Sequence, residues 1–490
     1  MAHQQTPTIN LNLYPQGKFA ERCIGFVDDL ARWEDANQAR TRALKKQDRV
    51  AREATCKVLQ ANLHQTWERD PAATIGVLKK TNWYSDHRNT ISPLISQTAM
   101  QLLLRFFAER NLIEVVSEGR KHPDAKYGIP TQIRARQGLI EYLDQDDASP
   151  ADFRSEYPQL VLEAGKEDSK RHLTIPDTDE AQQLAVGVDK INEMLGFHWA
   201  DIELPDVELE QINISGLHLP EALYQERTVR RIFNNGSFEE GGRFYGGWWE
   251  RVPFRYRPHI TIDGMPAVET DYSAIQPRLL LAERGVELDG DPYDIGIDER
   301  FRPLVKETFN RLLNGKCKPF PYSNPSQGFV FEKADVGLSW TQFPNLIRDR
   351  FEAVSDQFSS GAGLKLERLD SDIAQAVMLE ANALKVPMLP IYDSFIVRLS
   401  DYLDLIRAMG RAMRETVGIT IQIKITEPQT SDLTARLSKH WEQFVAYDPS
   451  LNNPPQPELT NHFVPGYEGY QRRVGEMIKE HSTGGSLDDA

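Results

Sequence analysis

Apolar positions recur at a spacing near 3.6 through FAERCIGFVDDLARWEDANQARTRALKKQDRVAREATCKVLQANLHQTW, with no proline, and the spacing predicts helix over residues 16–70. The rhythm changes at ISPLISQTAMQLLLRFFAERNLIEVV (91–116), which reads as a Ser/Pro start, an amphipathic helix, an Asn break and a β-like run. A basic, turn-rich loop, SEGRKHPDAKYGIP, and a second β-like run, TQIRAR, follow. Helix, strand, basic loop and strand form the pattern of a winged helix-turn-helix, which lays a helix in a groove and a wing on phosphates. A helical bundle with a surface hairpin gives the same pattern. Residues 141–205 are acidic, with a loop-like LTIPDTDE between helical pieces, and from about 206 to 445 strands alternate with helices as in a mixed α/β core. After 446, YDPSLNNPPQPELTN is rich in Pro and Asn, and HSTGGSLDDA predicts a mobile tail.

The 490 residues suffice for several cores, and 40% hydrophobic with 26% charged content is ordinary for a soluble protein. No apolar run reaches the roughly 18–20 residues of a membrane span, and MAHQQTPTIN lacks a signal-peptide core. The three cysteines, Cys23, Cys56 and Cys317, lie far apart, which fits a reducing cytoplasm better than a disulfide framework, and the 11 histidines form no HExxH pair. A net charge of −15 argues mildly against a nucleic-acid partner, but it is unevenly spread. Residues 1–140 hold 21 Lys+Arg against 14 Asp+Glu, residues 141–300 hold 15 against 34, and residues 301–350 hold 8 against 4. Screening confines each patch to about 8–10 Å, so basic islands can bind phosphate on an acidic chain.

Three features carry candidate chemistry. In ITIDGMPAVETDYSAIQPRLLLAERG, Asp271 stands at the end of an extended apolar run and just before a helix-like one. In VPMLPIYDSFIVRL, Asp393 sits at the turn between two β-like runs, where a buried acid is costly without a cation. Two carboxylates from separate elements are what two-metal phosphoryl transfer needs to hold two Mg²⁺ about 3.5–4 Å apart. The third feature is FRPLVKETFNRLLNG, in which Arg302, Lys306, Phe309, Asn310, Leu313 and Asn314 form one helical stripe ended by Asn314-Gly315. Such a stripe can grip a triphosphate, or it can be the solvated face of an ordinary amphipathic helix.

Taken in order, these pieces resemble the family A polymerases, which are the DNA polymerase I-type enzymes and the single-subunit phage-type RNA polymerases. Motif A, DYSQIELR in the DNA enzymes, is matched by Asp271-Tyr272-Ser273-Ala274-Ile275-Gln276-Pro277-Arg278. Motif B, R-x3-K-x3-(F/Y)-x3-Y-G, is matched by Arg302, Lys306 and Gly315, with Asn310 and Asn314 at the aromatic positions. Motif C, His-Asp followed by Glu or Ser, is similar to Tyr392-Asp393-Ser394-Phe395, and T/DxxGR is similar to Glu239-Glu240-Gly241-Gly242-Arg243. The segment LDSDIAQAVMLEA resembles the helix preceding motif C, and the match spans residues 230–400.

The resemblance implies an α+β fold: a right-hand polymerase palm and fingers with an antiparallel palm sheet, preceded by an α-helical and winged-helix N-terminal region. Asp271, Asp393 and the Tyr272 carbonyl would hold two Mg²⁺, with Mn²⁺ able to substitute. Arg302 and Lys306 would act in catalysis on the leaving phosphates, and Tyr272, Gln276, Asn310 and Asn314 would join them in binding the nucleotide. Arg243 and Arg278, with Arg120, Lys121 and Lys126 of the winged helix, would meet nucleic acid. The implied partners are a DNA primer-template and deoxyribonucleoside triphosphates, with RNA and a replication partner protein left open and no membrane. Gln276, bulky and polar, favours deoxyribonucleotides, whereas the Ser-Phe after Asp393 resembles the RNA enzymes.

The expected organisation is 1–70 helical, 71–137 winged-helix-like, 138–230 linker or abbreviated thumb, 231–445 polymerase core, and 446–490 Pro-rich segment and flexible tail. No DxE-type exonuclease signature occurs, so the expectation is a DNA polymerase without proofreading, of low processivity and serving a mobile element or phage. An RNA polymerase or primase of the same fold and a non-catalytic DNA-binding initiator or regulator are the alternatives.

Overall fold

The structure, a computed structural model, describes residues 8–37, 43–80, 83–84, 91–92, 94–122, 125–144, 153–165, 171–214, 217–315, 322–324, 329–331, 333–339, 342–425 and 466–483. They form a mixed α/β protein with largely antiparallel sheets and two separate apolar cores. No helix among the described residues is long and apolar enough to cross a membrane.

The N-terminal core runs from Ile9 to Phe153. The single helical stretch expected over 16–70 is two helices, Gly17–Ala36 and Lys46–Arg69. The first turns Phe19, Cys23, Val27, Leu30 and Trp33 inward at spacings of four, four, three and three, as a one-faced helix must. The second is buried over much of its circumference, because the first helix packs against one side and Gln97–Glu109 against another. Ser96 caps Gln97–Glu109 by accepting the Ala99 N–H, and the predicted Asn break is Asn111, whose φ of 57° sends the chain out of the helix. Strand Ile113–Ser117, the hairpin Arg120–His122 with Ala125–Ile129, and strand Thr131–Ala135 come next. The last strand is the centre of a three-stranded antiparallel sheet, between Ile75–Val77 and Ile113–Ser117. One core thus closes across the boundary expected at 70/71.

The larger core runs from Leu160 to Val474. The segment 138–230, expected to be a linker or abbreviated thumb, supplies strands to both of its main sheets. Leu160–Ala164 and Arg171–Leu173 extend a four-stranded sheet with Arg230–Phe233 and Gly241–Tyr245, and Ala200–Ile202 is an edge of a six-stranded sheet. These strands are only three to five residues long, too short for alternation to reveal them. The six-stranded sheet continues through Ile260–Ile262, Met265–Tyr272 and Ser394–Arg398 to Met388–Ile391. Strand Ile423–Ile425 pairs with the far end of Met265–Tyr272. Helix Ala362–Ala383 packs between Gly241–Tyr245, Asp179–Phe197 and Tyr402–Val417, burying Leu366, Ile373, Val377 and Ala381 at spacings of seven, four and four.

Between the expected Pro-rich segment and most of the expected mobile tail, which lie outside the described residues, stands a helix, Glu468–Thr483. It docks through charge. Arg473, 2% exposed, donates from Nε to both carboxylate oxygens of Asp201 at 3.0 and 2.9 Å, and Asp201 also accepts the Trp199 indole N–H. Tyr224 donates to Glu476 at 2.8 Å, and Asp206 accepts the Gly469 N–H at 2.9 Å. A composition rich in charge and Gly conceals such a helix, because what holds it lies far away in sequence.

Candidate active site

The central strand Met265–Tyr272 sets the site by alternation. Thr270 and Tyr272 turn into the core at 0% and 2% exposure, so Glu269 and Asp271 share the opposite face. Asp271 stands opposite Ser394 on one side and Lys424 on the other. On the neighbouring hairpin Ile391 pairs with Ser394, which makes Tyr392–Asp393 its two-residue turn. Asp393 is therefore the next residue to the one that faces Asp271. Register alone brings together two acids 122 positions apart in the numbering.

Backbone strain brackets both acids. Ala274, three residues after Asp271, has φ 51° and ψ 53°, turning the strand sharply into helix Ile275–Ala282. Tyr392, immediately before Asp393, has φ 57°. The left-handed region costs a non-glycine residue about 1–2 kcal/mol, and residues held there against that cost cluster at functional sites.

A buried phenol shows where the charges converge. Tyr293 packs against Phe309, and burial holds its proton well beyond the ordinary tyrosine range. The Arg302 guanidinium pulls the other way, and Asp393, Asp291 and Asp271 reinforce the effect of burial. Both candidate metal-holding acids and the first basic residue of helix Arg302–Leu313 thus act on one hydroxyl. Arg302 lies over the Tyr293 ring at 5.1 Å and forms a two-pronged ion pair with Asp291. Burial raises the Asp291 pKa, but the Arg302 hydrogen bond and charge, the Tyr293 N–H and the Arg278 charge together outweigh it and leave the carboxyl below its usual range. Lys306, one turn along, is exposed. Phe309 and Leu313 of the predicted stripe turn into the core, whereas Asn310 is half-buried and Asn314 exposed. Asn314 seats against Gly363 of helix Ala362–Ala383, where a β-carbon would strike its amide.

The Gly-Gly-Arg motif serves as a fastening. Gly241 and Gly242 have φ of 77° and 83° beside a register shift between Ile232 and Phe233. A β-carbon at 242 would lie 3.0 Å from the Arg231 guanidinium, which is fully buried and donates to the Gly242 carbonyl, Ser371 and Asp372. Arg243 binds Asp370 at 2.6 Å and Glu367 at 3.4 Å. Burial pushes the Asp370 carboxyl up to about 7; Arg243 opposes the shift, while Asp393 and Glu367 add to it. The nucleic-acid contact expected of Arg243 is thus occupied by acids of helix Ala362–Ala383, one charge away from Asp393.

Other expected contacts are placed elsewhere. The Tyr272 side chain lies in the core and donates to the Met409 carbonyl at 2.7 Å, which leaves its backbone carbonyl, next to Asp271, as the group expected to serve the site. Arg278, expected to meet nucleic acid, clamps a loop here, donating to the carbonyls of Leu288 at 3.1 Å and Gly290 at 2.6 Å. Gln276 is half-buried in the first turn of its helix. Arg120 and Lys121 are exposed on their hairpin, and the Lys126 side chain lies outside the described residues. The expected metal-holding set of Asp271, Asp393 and the Tyr272 carbonyl consists of hard oxygen donors, which suit Mg²⁺. Among the described residues, His64, Glu68 and Asp144 also bring metal-capable atoms within 4.8 Å of one another, in the N-terminal unit, where His64 already hydrogen-bonds Asp144 at 2.5 Å. The sequence reading missed Tyr293, Glu250, Glu269 and Asp370. Only Glu269 left a local signal, two residues before Asp271 in a strand.

No protein-family model matches the chain, and no curated protein matches it. Among solved structures it is similar to the POL domain of Pol1 from M. smegmatis in complex with DNA primer-template and dNTP. The identity is 13%, over 88% of this chain and 68% of that one, and the TM-score is 0.29. At that score the likeness bears on neither family nor activity.

Proposed function

We propose that the chain is a template-directed nucleotidyltransferase that adds deoxyribonucleotides to a primer 3′-OH, with the six-stranded sheet as palm and helix Arg302–Leu313 on the fingers side. The observation that supports this best is the strand register that seats Asp271 opposite Ser394, the residue after Asp393. The ordered motifs of the family A resemblance supply the reaction type. Bound divalent ions would supply charge neutralisation and activation of the attacking oxygen.

The chain's own residues then have distinct tasks. Asp271 and Asp393 present carboxylate oxygens from adjoining strand ends, and the Tyr272 carbonyl lies beside them. Arg302 and Lys306 offer positive charge to the β- and γ-phosphates; for Arg302 this means exchanging the Asp291 carboxylate for a phosphate of the same geometry. Gln276 packs toward the sugar. Positioning and charge, rather than a protein base, provide the rate. In the N-terminal unit, helix Gln97–Glu109 with the exposed hairpin of Arg120 and Lys121 acts as a winged helix that grips the duplex through phosphates.

The test is extension of a labelled primer on DNA or RNA template with deoxy- or ribonucleotides, with Asp271→Ala as control. Deoxynucleotide incorporation on DNA that vanishes in the variant is expected. Full incorporation by Asp271→Ala would overturn the assignment of the acids. Incorporation of ribonucleotides alone would replace it with the RNA-synthesising reading, and no incorporation at all, with retained duplex binding, by the idle initiator.

A further inference from the structure

The turn that carries Asp393 is gripped on both flanks. On one side the Tyr392 hydroxyl donates to Glu250 Oε1 at 3.1 Å. The same ring meets Tyr245 edge-on at 5.7 Å and lies under the Arg243 guanidinium at 5.6 Å. On the other side Ser394 Oγ donates to Glu269 Oε1 at 2.8 Å, and that carboxylate also takes Arg257 Nη1 at 3.3 Å. The two anchors share one foundation. Arg257 donates from Nε to the Val252 carbonyl and from Nη2 to the Glu250 carbonyl, both at 3.2 Å. The Glu250 carboxylate in turn accepts the Gly246 N–H at 3.0 Å. Ser394 Oγ also lies 3.1 Å from the Ile391 carbonyl of its own hairpin, but the two carboxylate grips, Glu250 on Tyr392 and Glu269 on Ser394, both trace to the short segment 246–257, directly or through Arg257.

We propose that Glu250 and Glu269 are positioning residues that aim Asp393, holding the strained turn from its two sides through the hydroxyls of Tyr392 and Ser394. The inference deepens the proposed function and rests on the reading of Asp271 and Asp393 as a metal-holding pair. Its physical basis is geometric. A two-residue turn with a left-handed tyrosine has an easy route to relaxation, and a carboxylate displaced by about 1 Å loses much of its worth to a shared cation. Groups that orient a metal-holding side chain typically contribute 10–100-fold in metal affinity. Glu250 and Glu269 touch neither substrate nor metal in this scheme; they act through the turn.

The test is titration of the full chain with Mn²⁺ alone, by calorimetry and by loss of free-ion EPR signal, for wild type, Asp393→Ala, and Tyr392→Phe combined with Ser394→Ala. The expected result is binding by wild type, loss of one ion in Asp393→Ala, and a Kd raised about 10–100-fold in the double variant at an unchanged unfolding midpoint. Ser394→Thr and Glu250→Gln, which keep a donor and an acceptor in place, should return the Kd to within about threefold of wild type. If the double variant unfolds early, isosteric Tyr392→Phe alone still reads the Glu250 arm, with a rise in Kd expected. Wild-type affinity in both Tyr392→Phe and the double variant, while Asp393→Ala loses the ion, overturns the positioning role and leaves the proposed function standing. Undiminished binding in Asp393→Ala, or none in wild type, removes the metal-holding pair and this inference with it.

Discussion

The two cores treat charge differently. In the N-terminal core, the buried ionic contact of note joins neighbouring helices, Arg52 to Glu34 at 2.6 Å, and basic residues such as Arg120 and Lys121 stay on the surface. In the larger core, Arg231, Asp370, Asp201 and Arg473 are each at most 2% exposed and bridge segments more than a hundred residues apart. Burying a charge costs several kcal/mol even when it is paired, and an apolar replacement of the same volume often does better. Buried pairs are thus weak stabilisers but strict specifiers of which segments meet. The larger core uses them at two places, the seat of the C-terminal helix and the surroundings of the hairpin turn, and only the second lies beside the candidate chemistry.

Mutations can separate fastening from function. The largest expected effect is on rate: Asp271→Ala or Asp393→Ala should lower single-turnover incorporation by roughly 10³–10⁵-fold, about 4–7 kcal/mol of barrier, with the urea midpoint unchanged. Loss of fold in both variants would move these acids to the fastening class. Next comes stability. Arg473→Ala leaves Asp201 buried and unpaired and should lose about 3–5 kcal/mol in urea unfolding, while Asp201→Leu with Arg473→Met recovers most of it. If the single variant is neutral, the helix is not seated as described.

The third effect is a pH profile. Burial raises the Asp370 pKa from 3.8 to about 7, so the folded state binds a proton more tightly than the unfolded one. Stability should then fall as pH rises from about 4 to 7, and Asp370→Asn should flatten that slope in urea midpoints measured across the range. An identical slope in wild type and variant contradicts the shift. The smallest effect belongs to the N-terminal unit. Lys121→Ala should weaken duplex binding equally on all sequences and reduce the log–log salt slope by about one, as fluorescence anisotropy at several salt concentrations would read.

What the sequence disclosed, and what it hid, follows the same division. Asp271 and Asp393 were legible because each sits at a strand end between apolar runs, where an acid is conspicuous. The helix Arg302–Leu313 announced itself by spacing and its Asn-Gly stop. The partners of Arg243 and Arg278 were hidden, because a motif gives a residue type and a position in order, but not the carbonyl or carboxylate that reaches it from elsewhere. Tyr293, Glu250 and Asp370 had no local signature, since each matters through partners brought by the fold. The strands Leu160–Ala164 and Ala200–Ile202 were hidden by brevity inside an acidic stretch. The helix Glu468–Thr483 was hidden because its anchor, Arg473, reads as solvated until Asp201 is placed beneath it.

That anchor also orders events during synthesis. Asp201 emerges from the ribosome 272 residues before Arg473, and until then its carboxylate waits beside the Trp199 indole without the guanidinium it accepts in the finished protein. The edge of the sheet that carries the candidate chemistry is therefore completed late in translation.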